Sequence, residues 1–239
     1  MGSQVCHKEH EFTVRIQAAL GADLTGTHCH VIDTNEMSSV MRKSGWAKGE
    51  TQGVIGFQVG DNVYVLNSTP WTVLHEMIHK AGVNADRLNR YLAEGLTEAI
   101  AKQMKRSQDE HRPTYPQETA WVEKTLLPKL RMSAVQLGRE IVKASDPPAM
   151  LAAMLAAVDS TVDEAKLRRE LQPQRPDQPS FNKIGSATRL DFLSFAGQAQ
   201  KAQKDDRVVL KIAGVFMLAA AGLALPTIVS RVYQGENDE

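Results

Sequence analysis

Two histidines four positions apart, with a glutamate directly after the first, make His75-Glu76-Met77-Ile78-His79 the chemically most specific pattern in the chain. On a helix such residues lie about 40° apart around the axis and one turn apart along it, so both imidazoles can reach one tetrahedral cation. Glu76 then sits beside that cation, where it can take a proton from water acidified by zinc and pass it to a leaving amine. A tetrahedral catalytic zinc needs a third protein ligand. The stretch Leu92-Ala93-Glu94-Gly95-Leu96-Thr97-Glu98-Ala99 offers Glu94 and Glu98. Like charges four apart repel on an exposed helix, so the pair gains sense if one carboxylate binds metal and the other accepts an imidazole N–H. A solvated face, with Glu98 pairing with Lys102, is the plainer alternative. Gly95 would let the two helices approach closely enough for Glu94 to reach the metal. The expectation is one Zn2+ per chain, held by His75, His79 and Glu94, with Glu76 as general base.

These residues need helices to hold them, and the sequence supplies the signals. Thr69 is an N-cap hydroxyl and Pro70 a first-turn proline, opening a helix through Trp71, Leu74, Met77 and Ile78 that stops at Gly82. A second helix over 86–105 places Leu88, Leu92, Leu96, Ala99 and Ile100 on one face. Ahead of the motif, 53–59 and 63–67 alternate around Gly60-Asp61-Asn62, which predicts a β-hairpin. Residues 12–20 read as a helix closed by Gly21, 27–32 as a strand and 36–43 as a weaker helix, while further helical patterns run from 118 to 171. The fold class expected is α+β, with a small sheet packed on the two motif helices and a helical C-terminal half.

The stretch from about 50 to 120 resembles the gluzincin metallopeptidases, thermolysin-like zincins with HExxH on one helix and a glutamate ligand on the next. The spacer of 14 residues between His79 and Glu94 is similar to that of the compact minigluzincins. Glu94-Gly95 looks like the family's Asn-Glu-Gly segment with Ala93 in place of the asparagine, and an acidic residue four positions after the ligand matches Glu98. A ligand at Glu98 would lengthen the spacer to 18, which also occurs in the wider group. The resemblance implies a zincin-like fold and a zinc peptidase, with an edge strand drawn from the hairpin to receive an extended peptide or protein substrate. It also implies a Tyr or His donating to the oxyanion of the tetrahedral intermediate. Tyr115, in the turn His111-Arg112-Pro113-Thr114-Tyr115-Pro116, leads the candidates; His111 and Tyr91 follow.

The whole chain of 239 residues carries 28 Lys+Arg against 28 Asp+Glu, so no global charge steers it to nucleic acid. Cys6 and Cys29 are too few for a disulfide framework and point to a reducing compartment. Glu9 and Glu11 precede any apolar run, which does not fit a signal peptide, and Cys6 stands where a myristoylation motif after Gly2 wants Ser or Thr. His28, Cys29 and His30, with Cys6, His7 and His10, make no recognised ligand spacing. Residues 1–171 read as the peptidase domain, 172–186 as a Pro-rich linker, 187–206 as an amphipathic helix and 207–231 as an apolar helix. Ile212 to Val229 contain no charge, a length of about 27 Å at the short end of a bilayer crossing, flanked by Lys211 and Arg231. The basic residues ahead of it would leave the peptidase domain in the cytoplasm of a tail-anchored protein. Two other readings are open: an inactive metal-binding scaffold anchoring partners at a membrane, and a toxin or effector with an inserting C-terminus.

Overall fold

A computed structural model describes residues 4–6, 8–45, 54–66, 69–106 and 114–173. The architecture is mixed α+β. Helix α1 (Glu9–Leu20) buries Phe12, Ile16 and Leu20, which recur every four residues as one stripe, and ends at Gly21 in the left-handed region, φ +70°, whose N–H bonds the Gln17 carbonyl. Strand β1 (Gln4–Val5) pairs antiparallel with β2 (His28–Val31). Asp33 then caps α2 (Thr34–Lys43), accepting from the Asn35 and Glu36 N–H groups, and this helix covers one sheet face with Met37 and Met41.

The predicted hairpin forms as β3 (Gly56–Val59) and β4 (Asn62–Val65), joined through Gly60 at φ +54°. Strand β4 also pairs in parallel with β2, which is possible because α2 lies in the crossover between them. The strand order is β1-β2-β4-β3, so β3 stands at one edge of the sheet among the described residues.

Helix α3 (Pro70–Lys80) starts where the sequence predicts, with Thr69 Oγ1 accepting from the Thr72 N–H at 3.4 Å. Every residue from Trp71 to His79 is buried, because the helix lies between the β3–β4 hairpin on one side and α1 and α4 on others. Its last residue reaches back to the hairpin turn, Lys80 Nζ donating to the Gly60 carbonyl at 2.6 Å and to Asp61 at 3.0 Å. Helix α4 (Arg90–Met104) begins later than the expected Asp86, since Asn89 is the residue whose side chain accepts from the Tyr91 N–H. It too is buried throughout its middle, from Leu92 to Ala101.

The helical half comprises α5 (Pro116–Trp121), α6 (Leu127–Leu130), α7 (Ala134–Lys143), α8 (Pro147–Val158) and α9 (Glu164–Leu171). Between α5 and α6 the chain widens into a π-helical turn, Val122–Leu126. Pro128 accounts for it: the proline offers no N–H, and its ring crowds the carbonyl four residues earlier. Ser133 and Gln136 form a capping box on α7, while Asp146 and Asp163 cap α8 and α9. The end of α9 docks on the start of α4, where Asn89 donates through its backbone to the Leu171 carbonyl at 2.8 Å and through its side chain to the Glu170 carbonyl at 3.2 Å.

One expectation changes here. Cys6 and Cys29, which the sequence left without a role and took as pointing to a reducing compartment, are joined by a disulfide that ties the segment after β1 to β2. A bond of this kind persists in oxidising surroundings. The linker from residue 174 onward, the amphipathic helix and the apolar segment Ile212 to Val229 lie outside the described residues. Among the described residues no helix is long and apolar enough to cross a membrane.

Candidate metal centre

The two buried helices bring His75, His79 and Glu94 together. His75 Nε2 lies 3.0 Å from His79 Nε2, and Glu94 Oε2 lies 3.3 Å from the first and 3.1 Å from the second. Three ligands at zinc–nitrogen and zinc–oxygen distances near 2.0–2.1 Å in a tetrahedron would be separated by about 3.3 Å, so the triangle has the size a small tetrahedral cation requires.

The tautomers sharpen the point. His79 Nδ1 lies 2.7 Å from the Val83 carbonyl, an acceptor, so this nitrogen carries the hydrogen. His75 Nδ1 lies 3.0 Å from Glu98 Oε2, again an acceptor. With both Nδ1 atoms donating, neutral imidazoles aim two Nε2 lone pairs at each other and at a carboxylate oxygen. Three acceptors meeting in a buried place repel unless a cation or protons lie between them. Without a cation the arrangement compensates by proton uptake. Burial works against a charged His75, but its hydrogen bonds to Glu94 and Glu98 outweigh this and raise its pKa to about 10. Glu94 shows the same balance from the acid side: burial favours its protonated form, yet His79 and His75 hold it well below the ordinary carboxylate range.

Glu98 is fully buried and belongs to the site without facing the triangle. One oxygen accepts from His75 Nδ1 and the other from the Thr114 backbone N–H at 3.0 Å. The solvated-face alternative therefore falls, and Lys102 pairs with Glu123 instead, at 2.8 and 2.9 Å. Of the two carboxylates between which the spacing left the choice open, Glu94 is the one that meets both imidazoles and Glu98 the one that accepts from His75 Nδ1.

Glu76 is buried against β3. A Cβ on Gly56 would lie 2.6 Å from its Cγ and 2.7 Å from Oε1, so only glycine lets this edge strand pass so near the carboxylate. Burial pushes the Glu76 pKa up, against the pull of His75 and His79. Such a group holds a proton more readily than a free carboxylate. The ring of Tyr115 stacks on His75 at 5.8 Å with the planes 20° apart. Burial raises its pKa too, keeping the phenol protonated and able to donate. Tyr91 does other work: its hydroxyl donates to the Gln117 carbonyl at 3.4 Å and its ring meets Trp121 edge-on. His111 lies outside the described residues.

Gly95 differs from expectation. The space its missing Cβ leaves is taken by the Glu118 backbone, 2.6 Å from where that Cβ would stand, so the glycine seats α5 against α4 rather than α4 against α3. Sequence reading also passed over Thr97, whose hydroxyl donates to the Val83 carbonyl at 3.0 Å beside His79, and Arg90, whose Nε donates to Glu94 Oε1 at 3.3 Å. The i, i+4 spacing of Arg90 and Glu94 was the one available signal for the latter.

Compared with known proteins, the chain matches no family model, no curated protein and no solved structure.

Proposed function

We propose that this chain is a zinc-dependent peptidase of zincin-like fold, acting on a peptide or protein substrate. The observation that carries the reading is the convergence of two Nε2 atoms and one carboxylate oxygen within 3.0–3.3 Å, on the helix that also bears Glu76. Imidazole nitrogen and carboxylate oxygen suit zinc, which when bound would act as a Lewis acid toward a carbonyl and lower the pKa of water. Glu76 takes the proton from the attacking water and delivers it to the leaving amine as the C–N bond breaks. Tyr115 donates its phenolic hydrogen to the carbonyl oxygen as negative charge gathers there. Glu98 holds His75 in the tautomer that keeps Nε2 free to ligate, and the Val83 carbonyl does the same for His79. The edge of β3 offers backbone groups to an extended chain beside Glu76, which suits a peptide of tolerant sequence. Elemental analysis of the purified full chain, combined with digestion of a peptide library by wild type and Glu76→Gln, tests the reading. About one zinc per chain in both, with cleavage only in wild type, is expected. A wild-type chain that takes up no metal at neutral pH would sink it.

A further inference from the structure

Glu94 uses its two oxygens differently. Oε2 faces both imidazoles, while Oε1 is turned to Arg90, whose Nε lies 3.3 Å away. The charge of the same guanidinium also acts on Tyr115 and on Glu76. Arg90 stands at the first position of α4, one turn before Glu94, with its side chain 31% exposed, so it sits at the rim of the centre and not in its core.

We propose that Arg90 is a positioning residue that restricts Glu94 to a one-oxygen ligand. The proposal rests on the metal-peptidase reading above. A carboxylate can grip a cation with one oxygen or with both, and a second oxygen would crowd the position that a catalytic centre keeps open for water and substrate. A donor fixed on Oε1 engages the lone pair that would otherwise compete. Arginine suits the task because its planar fork directs its N–H groups in fixed directions, which keeps a donor on one chosen carboxylate oxygen. Lysine carries the same charge as a single flexible point and can partly replace it.

Loading the full-length protein with Co2+ alone makes coordination number visible, since four-coordinate cobalt absorbs strongly in the visible range and five-coordinate cobalt weakly. Wild type should give the intense band. Arg90→Ala should keep one cobalt per chain by elemental analysis while the band falls several-fold, and Arg90→Lys should recover most of it. Tyr115→Phe should leave the band unchanged. In peptide hydrolysis, Arg90→Ala should lower kcat more than it raises KM. An Arg90→Ala protein with full cobalt and the wild-type band overturns the proposal. If wild type itself binds no cobalt, the metal-peptidase reading fails as well. Cobalt bound with no difference between the variants removes the Arg90 assignment alone.

Discussion

Helices α3 and α4 are as deeply buried as the interior faces of α7, α8 and α9, but what they bury is different. From α7 to α9 the buried side chains are apolar, with Leu137, Ile141, Leu151, Leu155, Leu167 and Leu171 filling the interior. Among the described residues the buried acids and imidazoles are His75, Glu76, His79, Glu94, Glu98 and Asp159, and all but the last lie on α3 and α4. Asp159 has an ordinary structural answer, an ion pair with Lys129 at 2.6 Å at the end of α8. Burying polar groups costs stability unless each is matched, and a pair of helices serving only as core would be cheaper in leucine. Helices α7 to α9 bury apolar groups alone, whereas α3 and α4 add acids and imidazoles to the apolar side chains they share with the same core.

Substitutions can break this contrast in order of size. The largest effect belongs to His75→Ala and His79→Ala, each expected to abolish zinc binding by elemental analysis while the protein stays folded by circular dichroism. Glu76→Gln follows: zinc retained, peptide hydrolysis reduced by about 10²- to 10⁴-fold, the range for losing a general base. Leu155→Ala in α8 should lower unfolding free energy by about 2–5 kcal/mol in denaturant titration without changing zinc content, because it opens a cavity under a helix that carries none of the three clustered residues. The smallest effect, and the sharpest on roles, is Glu98→Ala. It should weaken zinc by about 10- to 100-fold in a chelator competition, less than Glu94→Ala, as fits a residue that orients a ligand. If the two glutamates rank the other way, Glu98 is the ligand and the assignment above reverses.

The centre was largely legible in the sequence because its parts are local. The HExxH spacing, the Thr69-Pro70 start and the Glu94/Glu98 pair all act within one or two turns of helix, where periodicity fixes direction. What escaped depends on distant chain segments. Gly95 could be read as a close approach, but not that Glu118 would fill it. Gly56 gave no hint that it lies against Glu76, twenty positions on, since that contact depends on how the hairpin packs on α3. The Cys6–Cys29 link arises from the pairing of β1 with β2, a long-range event that two isolated cysteines do not announce. The late start of α4 has a local cause, Asn89, which competes with Asp86 as a cap and wins because the turn over 84–88 precedes it.

The meeting of His75, His79 and Glu94 has a consequence for supply as well as for chemistry. A cation held by these three groups would be a component of the folded state, absent from the unfolded one. By mass action, an ion present at a hundred times its dissociation constant adds about 2.7 kcal/mol to the stability of the protein that holds it. Against a total of about 5–15 kcal/mol for a typical domain, that share is large enough to set how long the chain survives proteases. The abundance of this protein would then follow the local availability of its metal, with scarcity removing the molecule and not merely silencing it.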